Sequence, residues 1–454
     1  MVLSAITDLR LFQWGRETAA AAVNLTVDTL PTAGDTFTLG TKVFTFVASG
    51  ADADGEVNVG ANLAAAQANI VAAINGTDGW NVAHGLVSAG AFAANVSNIR
   101  ARISGVAGNS IASTETFTAV TNIFAAATLL LGVDPGTAVQ ATSKMLVANW
   151  DAEPTDEVYH PPLLRGLIQR WKGNELVIQR GTRWVIPETP AFYQQLPNWC
   201  SMSVRGDVQP VSLGGGLYSY TFTRDPTGNP NLDTWTIERR ITEGVNHLDQ
   251  EANHCLLSSI MFRGAQNQPV LMTAEGFARR IKSSTLTPAL SAPAGTQLLS
   301  SSSRVYIDAN WGAIGGTQIT GQILNWEIGW NTGYAPLFTT DGRADLDFTT
   351  AALSSENTYL TVRITMLVKT ASGGQFAIEQ AAAEANTLRA VRVQCDGAAG
   401  EQAQFDMILK HNLGSLFKIG EFEGQDIVEM ELVETSDATN LFRVKVINNV
   451  SAMI

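Results

Sequence analysis

The chain has 454 residues, of which 45% are hydrophobic and 16% are charged. This composition is typical of a folded protein long enough for more than one core, and it excludes a disordered chain. Its 42 acidic and 29 basic residues give a net charge of −13, whereas proteins that hold nucleic acid through its phosphates carry a basic surface.

Cysteine content and hydropathy limit the compartment in which the chain folds. The three cysteines lie far apart, which predicts no disulfide framework and suits a reducing compartment. The apolar run at 125–133 is too short for a membrane span, and the N-terminus lacks the pattern of a secretory signal. We therefore expect no membrane span.

The first part of the chain reads as a small α+β domain. Residues 35–47 alternate on both sides of Gly40-Thr41, which predicts a β-hairpin. A helix is expected within 62–80, ended by Gly76, with a further strand at 95–105. Its apolar face is predicted to carry Leu63, Ala66, Ile70 and Ile74.

From residue 144 onward, two halves have the same order of elements. The first half is predicted to contain a strand at 174–186, a helix at 189–204 and then four strands. That helix is expected to start at Thr189 and Pro190 and to break at Pro197. The second half is predicted to contain a strand at 358–368, a helix within 373–388 and again four strands. Phe376, Ile378 and Ala382 are expected to face the core. This repetition predicts an internal duplication.

Several phrases resemble the tail tube proteins of long-tailed bacteriophages. They are "GRETA" at 15–19, resumed by "GTAVQATSKMLV" at 136–147, then "EPTDEVYHPPLLRG" and "RVYIDANWGAIGGTQITGQILNWEIGWNTGYAP". The resemblance covers residues 1–19 and about 136–450. The segment 24–134 interrupts it and is itself similar to a recurrent α+β module of phage virion proteins.

The resemblance implies a mainly β fold with short helices. Two tandem tube domains of the β-sandwich or barrel type are expected, with the α+β domain inserted near the N-terminus. The predicted boundaries are an N-terminal arm at 1–19, the inserted domain at 20–136, tube domains at 137–286 and 304–454, and a linker at 287–303. Insertion at an outward loop lowers the stability only slightly, because the entropic cost of closing a loop grows only logarithmically with its length.

The resemblance also implies a structural role in the virion. The chain is expected to assemble in the host cytoplasm into stacked rings that form the tail tube. Two tube domains per chain favour trimeric rings of pseudo-six-fold form, with hexamers required if only one half is a tube domain. The implied partners are further copies of the chain, the tape-measure protein, the tail terminator and the baseplate or tip proteins. Double-stranded DNA would pass through without adhering. No cofactor is implied.

Two groups of residues are candidates for this role. An acidic wall would repel DNA, and the candidates for lining the lumen are Asp341, Asp345 and Asp347, with ordinary solubility as the alternative. The candidates for contacts between rings are Phe12 and Trp14 in the arm and Pro161, Pro162, Leu163 and Leu164 in the loop at 158–173. Core positions within one chain are the alternative for the leucines and for the two aromatic residues.

Other constellations favour structural explanations. His254 and Cys255 are adjacent, but no second ligand pair lies at metal spacing. The glycine runs at 212–219 and 312–318 lack the ending of a phosphate loop, and no nucleophile elbow is present. We therefore expect no enzyme and no metal site. A surface adhesin that binds a receptor or glycan is the alternative function, and the inserted domain could serve attachment or solubility.

Overall fold

The computed structural model shows a mainly β protein with short helices, which confirms the predicted fold class. It describes residues 10–17, 20–102, 105–132, 139–147, 149–159, 176–206, 208–224, 232–243, 246–334, 336, 360–368, 374–412, 417–434, 442–451 and 453. The chain divides into two compact units. The first contains Met1–Arg16, Ala138–Gly206 and Ser219–Ile454, and the second contains Glu17–Thr137 and Asp207–Tyr218.

The second unit is the predicted α+β domain, to which residues 207–218 also belong. After β1 (Arg10–Arg16), which belongs to the first unit, the chain forms two four-stranded sheets and the helix α1 (Leu63–Asn75). The strands are β2 (Ala22–Thr26), β3 (Thr36–Leu39), β4 (Lys42–Val47), β5 (Glu56–Asn58), β6 (Val87–Ala89), β7 (Val96–Ala101), β8 (Ser113–Glu115) and β9 (Ile123–Phe124).

Helix α1 begins and ends where its sequence predicts. Asn62 caps the N-terminus by accepting a hydrogen bond from the Ala65 amide at 2.9 Å, and Gly76 ends the helix with φ of 67°. Ala66, Ile70 and Ile74 are buried, and Leu63 packs against the same core. This confirms the predicted apolar face, and the hairpin of β3 and β4 is confirmed as well.

The first half of the first unit follows. Its helix is α2 (Leu196–Ser203). Its strands are β10 (Ser143–Lys144), β11 (Asp151–Pro154), β12 (Glu157–Tyr159), β13 (Leu176–Gln179), β14 (Thr182–Pro190), β15 (Val211–Gly214, within the second unit), β16 (Leu217–Thr223), β17 (Trp235–Glu243), β18 (Asn246–Ala265), β19 (Leu271–Ala278) and β20 (Arg280–Ser283).

In the described residues of the second half, one α-helix is present, α3 (Gln375–Glu384). Its strands are β21 (Ser303–Asp308), β22 (Ile323–Asn331), β23 (Leu360–Leu367), β24 (Arg389–Asp396), β25 (Gln402–His411), β26 (Lys418–Phe422), β27 (Gln425–Glu434) and β28 (Phe442–Asn448).

The predicted repeat is present in the strand pairings. The first half contains the antiparallel pairs β1·β17, β11·β14, β14·β19, β17·β18, β18·β19 and β18·β20. The second half contains the corresponding pairs β21·β24, β22·β23, β23·β27, β24·β25, β25·β27 and β25·β28. The helix follows β14 in one half and β23 in the other.

The long strand β18 has a divided counterpart. Its N-terminal part pairs with β17, and its C-terminal part pairs with β19. In the second half, β25 pairs with β24, and the separate strand β26 pairs with β27. Strands β25 and β26 together therefore correspond to β18.

The predicted helix at 189–204 is wrong at its start. Strand β14 continues through Thr189 to Pro190, and α2 begins only at Leu196. Pro197 lies in the first turn of the helix, where its missing N–H costs no hydrogen bond, so it starts the helix and does not break it. The predicted strand at 174–186 is two strands, β13 and β14.

The predicted core face of helix α3 is confirmed at Ala382 and wrong at Ile378. Ile378 is 45% exposed, whereas Glu379, Ala382 and Ala383 are buried. The reason is an ion cluster: the Glu379 carboxylate accepts hydrogen bonds from Arg389 Nε at 3.0 Å and from His411 Nε2 at 3.0 Å. Burying Glu379 with these partners turns the adjacent Ile378 toward solvent.

Aromatic side chains fill the core beside β1. The Trp14 ring lies 4.7 Å from that of Trp199 and 5.1 Å from that of Trp235, and Trp14 is 0% exposed. The predicted linker at 287–303 also packs on this unit: Leu298 is buried, and the Thr287 amide donates to Glu238 at 2.7 Å.

We expect Trp14→Ala to lower the free energy of unfolding by about 3–5 kcal/mol, because it leaves a cavity between two buried indoles. Leu248→Ala, at a side chain that is 49% exposed, should cost less than about 1 kcal/mol. Urea unfolding followed by far-UV circular dichroism measures both, and equal losses would contradict this description of the core.

The buried carboxylate should make stability depend on pH. Burial alone raises the pKa of Glu379, but the hydrogen bonds from His411 and Arg389 outweigh it and hold that pKa below its ordinary value of 4.5. A depressed folded pKa stabilises the fold above 4.5, and that stabilisation is lost as the pH falls through the folded value.

Glu379→Gln should therefore cost about 3 kcal/mol at pH 7 and flatten the acid limb of the stability curve. Glu384→Gln, on the exposed side of the same helix, should preserve that limb. Urea titrations between pH 3 and pH 7 compare the variants, and an unchanged acid limb in Glu379→Gln would refute the assignment.

Candidate functional site

The large sheet of the first unit has one apolar and one polar face. Strands β19, β22 and β23 alternate between buried and partly exposed residues along most of their length. The apolar face packs into a core that contains Phe262, Trp330 and Phe405, whose ring centroids lie 5.4–6.4 Å apart. The other face is polar, so it is the surface available for function.

The two halves are joined by pairing between β18 and β22. Seven residues of each strand lie opposite one another, from Ser259 with Asn331 to Ala265 with Asn325. We call this pairing the internal seam. Because of it, the polar faces of the two halves form one continuous surface.

Matched charge clusters lie on this polar face. In the first half, Glu153 lies opposite Arg183, and Arg183 Nη2 is 2.7 Å from Glu275 Oε2. Both partners are about half exposed. The hydrogen bond from Arg183 lowers the pKa of Glu275, and Glu275 raises the pKa of Arg183.

The second half contains a similar cluster, in which the pair of a glutamate opposite an arginine recurs and the second glutamate lies at a different strand position. Glu327 lies opposite Arg363, and the Arg363 guanidinium is 3.4 Å from Glu327 and 2.8 Å from Glu431. The hydrogen bond from Arg363 lowers the pKa of Glu431, and Glu431 in turn raises the pKa of Arg363. In each half, an arginine is thus held between two glutamates.

Carboxylates outnumber cations on the described strands of this face. The carboxylates are Asp151, Glu153, Glu188, Glu275, Glu327, Glu429 and Glu431, and the cations are Arg183, Arg263, Arg363 and Lys418. An open groove of about 440 Å³ runs over the internal seam and is bordered by Met261, Thr273, Glu275, Glu327 and Arg363. Gly329, which has no side chain, is among the residues that line it.

The residues predicted from sequence lie elsewhere. The lumen candidates Asp341, Asp345 and Asp347 and the contact candidates Pro161, Pro162, Leu163 and Leu164 fall outside the described residues. Phe12 is 4% exposed and Trp14 is 0% exposed, so both lie in the core, as the alternative had it. Pairing with β17 holds β1 in the sheet, and the Trp14 ring packs against those of Trp199 and Trp235.

The sequence analysis did not identify the charge clusters. The available signal was a charged residue at an alternating position of an otherwise apolar strand, as in "TVRITML" at 361–367 and "VEMELV" at 428–433. Alternation places these side chains on one face, but the partners come from strands distant in sequence, such as 327 and 363.

The comparisons with known proteins leave this site to be interpreted from its own geometry. No protein-family model matches the chain, and no curated protein has a significantly similar sequence. Within the described part of the chain, no group of three or more His, Cys, Asp or Glu residues could hold a metal ion. No described helix is long and apolar enough to cross a membrane.

The exposed clusters should contribute little to folding. Arg363→Gln removes pairs whose arginine is 48% exposed, so we expect a loss of at most about 1 kcal/mol that shrinks further at high salt. Arg389→Gln, which disrupts the buried ion cluster, should cost about 3–5 kcal/mol. Urea unfolding at low and high salt compares the two variants, and a large loss in Arg363→Gln would show that the polar face serves the fold.

Proposed function

We propose that the chain is a structural subunit of a long-tailed bacteriophage tail tube, which assembles into stacked rings through which genomic DNA passes. The resemblance of residues 1–19 and about 136–450 supports the family. The observation that carries the proposal is the continuous polar face across the internal seam, since a tube needs one unbroken wall built from repeated units.

The charges of this face suit a wall that DNA must pass without adhering. Duplex DNA carries a charge about every 1.7 Å along its axis, and free cations on a wall would bind those phosphates. Here Arg183 is paired with Glu275 and Arg363 with Glu431, both of which are carboxylates at neutral pH, and the hydrogen bond from each arginine lowers the pKa of its glutamate further. Repulsion acts within about 8 Å at physiological salt.

Electron microscopy of the purified protein at rising concentration tests this proposal. We expect hollow rings that stack into tubes, with three-fold end views for a duplicated subunit. Discrete particles that never stack would overturn the tube assignment and favour the adhesin. Binding to a glycan array would then be measured, since a tube subunit has no need of glycan affinity.

The charge pairing gives a second test. Replacing three of these glutamates, in the triple variant Glu275→Gln, Glu327→Gln and Glu431→Gln, frees Arg363 and leaves Arg183 beside Glu153 alone on the polar face. We expect this variant to bind a short DNA duplex with an affinity that falls as salt rises, whereas the unaltered protein does not bind at 0.15 M salt. Fluorescence anisotropy measures the binding.

The matched control replaces carboxylates away from the arginines. Glu384→Gln, Glu421→Gln and Glu423→Gln change the net charge equally and lie at exposed positions outside the two clusters. Equal DNA binding by the control would attribute the effect to overall charge and would contradict the proposed role of the paired arginines.

A further inference from the structure

Each strand of the internal seam has a counterpart in the other half. Strand β22 pairs with β23 as β11 pairs with β14, and β26 pairs with β27 as the C-terminal part of β18 pairs with β19. The counterparts of β18 and β22 are therefore β26 and β11. Among the described residues, β26 and β11 are not paired with each other.

Strand β26 is exposed along its whole length. All five residues are exposed, including Ile419 at 72% and Phe422 at 40%. The turn to β27 has positive φ at Glu423 (51°) and Gly424 (77°), as in a two-residue type I′ hairpin. In that hairpin the backbone N–H and C=O of Phe422 form hydrogen bonds with β27. Because such positions alternate along the strand, the backbone groups of Ile419 and Glu421 point to the open edge. Such an edge is a template for another strand.

Strand β11 offers a complementary edge. The Thr155 amide donates to the Gly181 carbonyl at 2.8 Å, so the backbone groups of Ala152 and Pro154 point away from β14. Proline has no N–H and occurs within sheets on edge strands, which fits its position here.

We propose that β26 of one copy pairs with β11 of a second copy, in the antiparallel arrangement that β18 and β22 have within the chain. This inference rests on the proposed function for its setting, a ring of identical chains. The contact joins different surfaces of two copies, so it closes into a ring or extends as a filament. A trimeric ring alternates internal seams with seams between copies.

The residues of the two halves can be aligned from the pair of a glutamate opposite an arginine that each half contains. Glu153 opposite Arg183 corresponds to Glu327 opposite Arg363. Three residues beyond these arginines, β14 and β23 reach Ile186 and Met366. These pair with Ala274 of β19 and Val428 of β27, respectively, so Ala274 and Val428 are equivalent.

The next pairings carry the alignment to β26. Ala274 pairs with Ile260, and Val428 pairs with Ile419. The two isoleucines are therefore equivalent, although Ile260 is 2% exposed and Ile419 is 72% exposed. A neighbouring strand covers the first isoleucine, and the second has no such cover among the described residues.

The register follows from these equivalences. Three residues further on, Arg263 corresponds to Phe422. Because Arg263 lies opposite Glu327, Phe422 of one copy lies opposite Glu153 of the next.

The charges agree with this register. Continued past the end of β11 through Thr155 and Asp156, this register places Lys418 of one copy opposite Glu157, the first residue of β12, of the next, and both residues are exposed in the single chain. Opposite charges directly across an antiparallel pair stabilise it. A shift that placed Glu421 opposite Glu157 would instead bring two negative charges together.

Disulfide cross-linking tests the seam between copies. Phe422→Cys with Glu153→Cys places two cysteines opposite each other at a pair without backbone hydrogen bonds, where Cα atoms lie about 4.5 Å apart, within disulfide range. Both sites are exposed, and the native cysteines are buried. Oxidation of the full-length protein should give covalent dimers and trimers on non-reducing gels.

Two further double variants serve as controls. Glu421→Cys with Glu153→Cys moves one cysteine by one residue to the opposite face, so at least tenfold less cross-linking is expected. Arg263→Cys with Glu327→Cys should close within one chain and shows that this seam geometry supports a disulfide. Absence of linked chains while the internal pair closes would overturn the inference, as would equal linking through Glu421→Cys.

Microscopy of the same samples separates this inference from the proposed function. Cross-linked chains without hollow rings would support the seam and overturn the tube. Rings without cross-links would support the tube and overturn the seam between copies. Ile419→Pro removes an N–H at the open edge and should raise the concentration for half-maximal assembly about tenfold, whereas Ile419→Val should not. Equal assembly by both variants would count against pairing at this edge.

Discussion

The pairing of β18 with β22 is the constraint on which the large unit depends. It turns two copies of one strand arrangement into a single sheet, and it does so with backbone hydrogen bonds over seven residues of each strand. The twenty-residue length of β18 makes this possible, because its N-terminal part serves its own half and its C-terminal part reaches β19 and the second half.

The duplication is conserved in pairing and altered in sequence where the two halves need different partners. Strand β18 is continuous, whereas β25 and β26 are separate strands. Phe262 on β18 is fully buried against Trp330, while the strand equivalent to this part of β18 exposes Ile419 and Phe422. We expect this difference if the same strand pairing forms once within the chain and once between copies. The apolar residues are then buried at the paired edge and exposed at the open edge of a single chain.

Charges in this unit occur in two environments with different consequences. Glu379 and Asp406 are fully buried, the first paired with Arg389 and His411 and the second with Arg392 and Arg443, so losing an arginine would leave a carboxylate without its compensating charge. The pairs of Arg183 and Arg363 are exposed to water, which weakens them and leaves the polar face free to change without loss of the fold. A wall exposed to a passing polyanion can use the second kind.

The sequence by itself determined the local structure. Alternation placed five strands of the second half to within a few residues and missed β21, β22 and β26, while Asn62 and Gly76 bounded α1 and element order predicted the repeat. Pro197 showed the limit of local signals, because the same residue fits the first turn of a helix as well as its end. Only the tertiary structure decided that Ile378 faces solvent, that Trp14 lies between two other indoles, and that Glu327 and Arg363 meet. The physical reason is that periodicity fixes which face a side chain occupies, whereas its partner depends on which strands pair, and pairing joins residues far apart in the chain.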